Sequence, residues 1–450
     1  MGSFGVRTWA LALFMAPLSV APTVTALAAP IGAVTSPAPS GDVVLYTVKR
    51  GENLFTLGQK FLNRPADYRA VQRLNRLADA RAIPIGTVLR IPVSLLKTEP
   101  LSAQLVAMRG TVRITEAGRA IPPAVGMALR QGSVLETGED GFVTLTLPNG
   151  SKTSLPTRTR LRIDHLRRII LTGSLDYDLV VEAGKVETRA APLGTDPNSR
   201  FRIRTPRAIT AVRGTQFRVG YPDDASLTEV LEGKVVAGPS EAAAEALATG
   251  YGARVSPDGR LSKEALLAAP ELLAPGKVQV DPQVRLNLST LPQAREYRVS
   301  IATDAGFSDV LADQQAASTA FSFDNIPNGS LFVRVSAIAP SDLEGLSQTF
   351  AMRRVLTGLS ASAAMDADTM RFNWGGNGEG RRLYHFQIVR DDPGGVPLVD
   401  EAGLADAGIM LKRLQPGVYF WRVGVRQMAD DEVTENWLPF EKFTVSAPEQ

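Results

Sequence analysis

The side chains that most often perform chemistry are scarce in this sequence. Its 450 residues include no Cys and two His, His165 and His385, which lie far apart in the chain. The absence of Cys excludes disulfides, thiolate metal sites, Cys nucleophiles and a lipidated N-terminal Cys. Two separated His cannot build a zinc site without carboxylates, so most cysteine- and zinc-dependent hydrolases are excluded. We therefore expect no metal and no cofactor.

Two other patterns bear on catalysis. Ser94 and Lys97 have the Ser-x-x-Lys spacing of penicillin-binding enzymes, but they lie in a linker and no Lys-Thr-Gly follows, which favours chance. A glycosidase needs only two carboxylates, which the 46 Asp and Glu residues can supply. A glycan hydrolase therefore stays open as a less favoured alternative, while we expect no catalytic residues and no enzyme, because every long span has a non-catalytic interpretation.

The composition is that of a multidomain globular protein rich in β-structure. Hydrophobic residues make up 44% and charged residues 21%, and 49 Lys and Arg against 46 Asp and Glu give a net charge of +3. At about 150 residues per domain, the length predicts about three domains, or four small ones. The 39 Gly and 30 Pro favour turn-rich β domains.

The N-terminus has the pattern of a secretory signal over residues 1–28. Arg7 precedes the apolar run Trp9–Val20, and Ala26-Leu27-Ala28 offers a cleavage site. The run is interrupted by Pro17 and is shorter than the about 20 residues of a spanning helix, although an uncleaved signal anchor remains the alternative. We expect a linker at 29–43 and, after cleavage, an exported chain that does not span the membrane and lies in the periplasm or outside the cell.

Residues 44–93 predict a strand, two helices and a closing strand. The segment begins with Tyr46–Leu54, where Gly51-Glu52-Asn53 is a turn that can cap a helix, and it ends with Ile85–Pro92. Together with Leu74-Asn75 between them, these landmarks resemble a LysM domain. The departures are Glu52-Asn53 in place of Asp-Thr and the Ile83-Pro84-Ile85 run before Gly86.

The resemblance implies a shallow groove for glycans that contain N-acetylglucosamine. Two candidates have structural alternatives, because Asn75 can simply cap the second helix and Leu54 can belong to the core. One such module binds weakly, so avidity or partner contacts are expected. By position in the motif, the candidate glycan-binding residues are Gly51, Glu52, Asn53, Leu54, Asn75, Arg76, Ile83, Pro84 and Ile85.

Residues 100–262 predict an all-β domain, because apolar and polar residues alternate in successive segments separated by turns. The segment resembles the FecR domain, most specifically in Thr205-Pro206 followed by Ala211–Phe217. The founding members of that family are envelope sensors that control a sigma factor, with a cytoplasmic tail and one spanning helix. This chain has a signal and a LysM-like module in their place, so we interpret the domain as an exported interaction or structural module.

Arginines cluster in the same domain and form a candidate interaction surface. Pairs two residues apart lie on one face of a strand, and such a face can hold an anionic polymer or an acidic partner. The alternatives are a solvated face and, at Arg213, a structural role beside a tight turn at Gly214. The candidate residues are Arg160, Arg162, Arg202, Arg204 and Arg213.

Residues 267–446 contain a divergent repeat. Tyr297–Ile301 resembles Tyr384–Ile388, and Gly329–Val335 resembles Gly417–Val423. The repeat length and the alternating strands predict two immunoglobulin-like sandwiches similar to fibronectin type III modules, at 267–356 and 357–446. We expect Trp374 to be a core residue and His385 to be structural.

These patterns favour an exported protein that binds peptidoglycan, or a related N-acetylglucosamine polymer, and presents its β domains to an envelope protein partner. An envelope signal-sensing component that acts through the FecR-like domain is the alternative. Nucleic acid is not an expected partner, because the chain is exported and only 6% of its residues are aromatic.

Overall fold

A computed structural model describes residues 42–366, 368–429 and 432–446. The predicted signal at 1–28 and residues 29–41 of the predicted linker lie outside the described residues. Within them the chain is mainly β-structure with two short α-helices near its start, which confirms the predicted fold class. No helix in the described part of the chain is long and apolar enough to cross a membrane.

The N-terminal module is a two-stranded antiparallel sheet packed against two helices. Asn53 caps the first helix, since its side chain accepts a hydrogen bond from the Thr56 N–H at 2.9 Å while the Thr56 hydroxyl accepts one from the Asn53 N–H at 3.2 Å. This confirms the predicted capping turn. Its elements are β1 (Val43–Thr47), α1 (Leu54–Phe61), α2 (Tyr68–Leu74) and β2 (Val88–Pro92).

The central unit is a closed β-barrel around one large apolar core, built from two sheets that share one long strand. In Arg200–Arg204 and the first half of Arg160–Ile169, alternate residues point into that core, as the period-two pattern predicted. Its strands are β3 (Thr98–Pro100), β4 (Ala103–Arg109), β5 (Val112–Glu116), β6 (Arg119–Ile121), β7 (Ala128–Leu129), β8 (Val134–Thr137), β9 (Phe142–Thr146), β10 (Lys152–Leu155), β11 (Arg160–Ile169), β12 (Leu175–Arg189), β13 (Arg200–Arg204), β14 (Ile209–Val212), β15 (Gln216–Tyr221), β16 (Ser226–Glu232), β17 (Lys234–Gly238), β18 (Glu245–Ala248), β19 (Tyr251–Val255) and β20 (Leu261–Ala265).

The long strand β12 belongs to both sheets. Up to Ala183 it pairs with β11, and from Gly184 onward it pairs with β15. Gly184 has a φ of +74°, and a Cβ at this position would lie 2.4 Å from the Arg158 carbonyl oxygen. Only glycine fits this change of sheet without strain.

Two β-sandwiches follow the central unit. The first packs β21 and β24 against a four-stranded sheet, and the second packs a three-stranded sheet against a five-stranded one. Their strands are β21 (Val284–Asn287), β22 (Glu296–Ala302), β23 (Val310–Ala316), β24 (Ala320–Phe323), β25 (Gly329–Ile338), β26 (Glu344–Arg354), β27 (Ser360–Asp366), β28 (Thr369–Gly375), β29 (Arg381–Arg390), β30 (Val399–Leu404), β31 (Gly408–Lys412), β32 (Gly417–Ala429), β33 (Glu432–Trp437) and β34 (Glu441–Val445).

Both members of the predicted repeat occupy equivalent places in the two sandwiches. Tyr297 and Tyr384 lie on the strands β22 and β29, each paired with the long strand that carries the second half of the motif. The predicted core position of Trp374 is confirmed, since its ring is buried and stacks on Phe386 with centroids 5.7 Å apart.

One prediction for the central unit needs correction. The Ala and Glu content of Ser240–Thr249 predicts a short helix or a surface excursion between strands. A single 3₁₀ turn at Glu241–Ala243 is present, but Glu245–Ala248 forms β18 on the edge of a sheet. Pairing with β17 therefore overrides the local helix propensity.

A buried network of charges joins the central unit to the first sandwich. Glu344, 3% exposed, lies 3.2 Å from Lys185 and 3.4 Å from Arg218 of the central unit, and 3.1 Å from Arg298 of its own sandwich. The Glu344 N–H also donates to Glu229 at 2.8 Å. Every ion in this network has an oppositely charged neighbour. Removal of one ion would leave its partners buried without a counter-charge, so the contact between the central unit and the first sandwich depends on the whole network.

Candidate functional site

Two loops of the N-terminal module lie side by side and form the candidate groove. One loop runs through residues 49–53 between β1 and α1, and the other through residues 78–86 before β2. The Leu54 N–H donates to the Ala80 carbonyl at 2.9 Å, and the Gly86 N–H donates to the Val48 carbonyl at 2.9 Å. These bonds bring the loops together at both ends.

Four of the predicted glycan-binding residues present exposed surface. Ile85 is 67% exposed, and Pro84 and Gly51 are exposed on the two facing loops. Gly51 has a φ of +83°, in the left-handed region that favours glycine. Arg76 is exposed directly after α2, with a φ of +51°. An exposed aliphatic side chain can pack on the apolar ring face of an N-acetylated sugar, and exposed backbone groups beside it can hydrogen-bond to the amide of that sugar.

Glu52 and Asn53 shape the first loop from within. The Glu52 carboxylate accepts hydrogen bonds from the Tyr46 hydroxyl at 2.8 Å and from the Lys49 N–H at 2.9 Å. Burial and the bond to Glu52 raise the pKa of Tyr46 to about 12, so this hydroxyl stays protonated as a donor. The loop conformation is thus fixed by its own side chains.

Three other predicted glycan-binding residues make contacts within the module. Leu54 is 2% exposed, and Ile83 is also buried in the core of the module. The Asn75 side-chain amide donates to the carbonyls of Val71 and Arg90, each at 2.8 Å, and accepts from the Arg90 N–H at 2.7 Å. Asn75 therefore fastens the end of α2 to β2, which favours the structural alternative.

Sequence reasoning missed an exposed aromatic residue, Phe55, two positions after the first loop. Phe55, the second residue of α1, is largely exposed and meets Tyr68 edge to face with ring centroids 6.1 Å apart. In the sequence, an exposed aromatic residue of this kind can be recognised as an apolar residue that lies outside the buried face of an amphipathic helix.

The central unit holds the N-terminal module in a fixed position. The Leu45 N–H donates to the Asn198 side chain at 2.8 Å, and the Asn198 amide donates back to the Leu45 carbonyl at 3.0 Å, in the manner of a neighbouring strand. Ile169 of β11 joins the core of the module. These contacts attach the module that carries the groove to the central unit.

The arginines of the candidate interaction surface are paired with acids of adjacent strands. Arg160 and Arg162 on β11 both bond Glu182 of β12, at 2.7 and 2.9 Å. Arg204 bonds Asp164 at 3.0 Å and Asp178 at 2.7 Å. Each of these guanidinium groups therefore lies beside a carboxylate, which favours a face of mixed charge over a purely basic one.

Arg202 and Arg213 also have structural partners. Arg202 has a side chain only 11% exposed and lies 2.7 Å from Asp42 of the N-terminal module and 3.4 Å from Asp178. Arg213 is exposed and donates to the Gly194 carbonyl at 2.7 Å, beside Gly214 with its φ of +66°. These contacts favour the structural alternative for both residues.

Asp164, His165 and Asp178 form a group whose ligand atoms lie within 4.8 Å of one another. The guanidinium groups of Arg162 and Arg204 already bond the carboxylates of Asp164 and Asp178, and they take the place that a metal cation would need beside them. At the neighbouring Asp176, burial alone would raise the pKa, but His165 and Arg167 outweigh it and lower that pKa to about 2. The cluster therefore suits internal ion pairing better than metal binding.

The Ser-x-x-Lys spacing has a structural explanation. Ser94 lies in a 3₁₀ turn at Val93–Leu95, and the Lys97 ammonium donates to the carbonyls of Gln59 and Lys60 near the end of α1, at 3.1 and 3.0 Å. Lys97 thus satisfies carbonyls at a helix C-terminus, where a cation is favourable.

Comparison with known proteins identifies two families along the chain. The family model described as LysM domain matches residues 46–92, and the one described as FecR protein matches residues 133–236. The chain therefore carries a LysM domain followed by a FecR domain, as the sequence motifs predicted. A search of the curated proteins found no match.

Solved structures similar to parts of the chain include an anti-sigma factor structure and a fibronectin type III segment. Two crystal structures of a candidate anti-sigma factor from Parabacteroides distasonis ATCC 8503 are 21% identical over 29% of this chain and 59% of theirs, with a TM-score of 0.25. A segment of two fibronectin type III domains from chicken tenascin is 15% identical, with 40% of this chain and 100% of that segment covered and a TM-score of 0.18. The chain thus spans less than two thirds of the anti-sigma factor structures that it matches.

Proposed function

We propose that the chain is an exported, non-enzymatic protein of the cell envelope that binds peptidoglycan, or a related N-acetylglucosamine polymer, through the groove of its LysM domain. The observation that carries this proposal is the pair of hydrogen-bonded loops that present Gly51, Pro84 and Ile85 to solvent. The LysM match over residues 46–92 supports the glycan as ligand.

The recognition chemistry is that of a neutral sugar. Ile85 offers an apolar surface to the ring or the acetyl methyl group, and the backbone of the two loops offers hydrogen bonds to the amide. A periplasmic or extracellular location follows from the predicted signal. The FecR domain then carries the LysM domain through its contacts with Leu45 and Asp42, and together with the sandwiches it presents surface to an envelope protein partner.

Sedimentation with purified sacculi tests the proposal. Since Leu54 and Asn75 are structural, the informative variant is Ile85→Asp, which places a charge where the sugar lies. The matched control is Val125→Asp, an exposed aliphatic residue of the central unit at 60% exposure. We expect the parent and the control to sediment and Ile85→Asp to remain largely in the supernatant.

Equal sedimentation of all three proteins, or no sedimentation of the parent, would contradict binding through the groove. Analysis of the same supernatants also tests the non-enzymatic assignment, because a glycan hydrolase would release soluble muropeptides. We expect none.

Envelope signalling is a second candidate function, favoured by the FecR match over residues 133–236. In this alternative the central unit contacts a membrane partner. A photoreactive residue in place of the exposed Val236 on β17 tests it in the full-length chain. A single crosslinked membrane protein supports signalling, whereas crosslinking to no protein contradicts it.

A further inference from the structure

The outer face of the second sandwich carries a small pocket that the groove and the central unit do not use. The pocket has a volume of about 130 Å³, and its lining includes Leu383, His385, Ala402, Arg426 and Trp437. It lies on the five-stranded sheet, on the side opposite the core, because Tyr384 and Phe386 on either side of His385 point inward.

The sheet is shaped to hold an indole ring against this pocket. Gly424 on β32 pairs with His385 on one side and with Trp437 on the other. A Cβ at position 424 would lie 2.6 Å from the Trp437 ring, so the ring rests directly on the glycine. His385 and Arg422 then contact the ring, at 4.7 Å between ring centroids and 4.5 Å from the guanidinium carbon. The glycine and the two flanking side chains thus fix the position of the ring.

The charges around the pocket are paired. His385 Nε2 lies 2.5 Å from Asp400, and Arg426 lies 3.6 Å from Glu435. Each pair is partly exposed, so it keeps hydrogen-bonding capacity toward solvent. A site with fixed donors and acceptors but little net charge complements a neutral polar ligand better than an ion.

We propose that this pocket binds one ring of a neutral glycan. A pyranose has an apolar face of C–H groups that packs on an indole, and a rim of hydroxyl groups that hydrogen-bonds to side chains such as Arg426 and Glu435. The site extends the proposed function, because a second sugar contact on the same chain supplies the avidity that one LysM domain lacks. It does not depend on the groove for its geometry.

Tryptophan fluorescence isolates this site from the groove. The chain has 4 Trp, of which none lies between residues 44 and 93, and Trp374 and Trp421 are buried. We expect N-acetylglucosamine tetramer, or maltotetraose if the pocket accepts other neutral sugars, to change the emission of the full-length protein saturably. Trp437→Phe should abolish the change, and Ala402→Leu, which narrows the pocket, should weaken it about tenfold.

Two controls decide the interpretation. Tyr251→Phe alters another exposed ring that has a cation above it, Lys263 at 5.3 Å, and should respond like the parent. Ile85→Asp should also retain the response even where it no longer sediments with sacculi. No response to either sugar, an unchanged response in Trp437→Phe, or a response lost in Ile85→Asp would each overturn the second site, and the first two would do so without affecting the groove.

Discussion

The central unit is joined to its neighbours by two networks of ions that differ in burial. Toward the N-terminal module, Asp42 bonds Arg200 and Arg202, each at 2.7 Å, and these side chains remain in partial contact with solvent. Toward the first sandwich, Glu344 and Arg218 are almost completely buried. The first network is one attachment among several, beside Asn198 and the apolar contact of Ile169.

This difference in burial determines how much stability is lost when a single charged residue is substituted. A partly exposed charge that loses its partner regains contact with water, so the net contribution of such a pair is smaller than that of a fully buried one. A buried charge that loses its partner stays in the interior without compensation. The ion pairs of Asp42 therefore give a partly exposed attachment on one side of the central unit, and those of Glu344 give an almost completely buried one on the other.

The largest effect is expected from Glu344→Ala. The change leaves Lys185, Arg218 and Arg298 without their shared carboxylate, and we expect a loss of about 3–5 kcal/mol in the free energy of unfolding of the joined central unit and first sandwich. Denaturation in urea measures it. Glu432→Ala is the control, since its 2.6 Å pair with Arg353 is largely exposed and should contribute at most about 1 kcal/mol. Equal losses of unfolding free energy in the two variants would contradict the claim that the buried pairs contribute more to stability than the exposed pair.

The second-largest effect is expected from acid, which should weaken the buried ion pairs between the central unit and the first sandwich. Burial alone would raise the pKa of Glu187, but Arg334 and Arg218 outweigh it and lower that pKa from 4.5 to about 2. Because the folded-state pKa is the lower one, its stabilisation is complete above about pH 4.5 and is lost as the pH falls toward 2. Urea midpoints measured from pH 6 to pH 3 should fall below pH 4.5, and Glu187→Gln should flatten that part of the profile. An equally steep profile in the variant would exclude Glu187 as the cause.

The smallest effect is expected at the N-terminal attachment. Asp42→Ala removes both ion pairs of the aspartate, but Arg202 keeps Asp176 and Asp178, so we expect a loss of about 1 kcal/mol. Hydrogen exchange at β1 should quicken while the module stays folded. Asp67→Ala, which removes the pair with the largely exposed Arg64, is the control and should leave the exchange at β1 unchanged. A module that unfolds or detaches in Asp42→Ala would show that this network is obligatory too.

The sequence predicted features that depend on residues close together in the chain. The capping turn at Asn53, the alternating strands and the core position of Trp374 all follow from local pattern. The spacing also placed Arg160 and Arg162 on one face of a strand correctly. Their neutralisation by Glu182 depends on the register between β11 and β12, which no local pattern specifies.

Contacts between distant segments could not be predicted in the same way. Asn198 pairs with Leu45, and Lys185 with Glu344, across more than a hundred residues in each case. The Trp437 pocket depends on Gly424 lying opposite it on another strand. For the groove, the sequence identified the loops, but burial separated the exposed Ile85 from the structural Leu54 and Asn75.

Hydrogen exchange of the full-length chain with and without N-acetylglucosamine tetramer tests glycan binding by the LysM groove most directly. Backbone amides that bind the sugar, or are shielded by it, exchange more slowly in the complex. We predict slower exchange in peptides that cover residues 49–54 and 78–86, and no such change there in Ile85→Asp. Unchanged exchange in both loops at saturating tetramer would contradict the account.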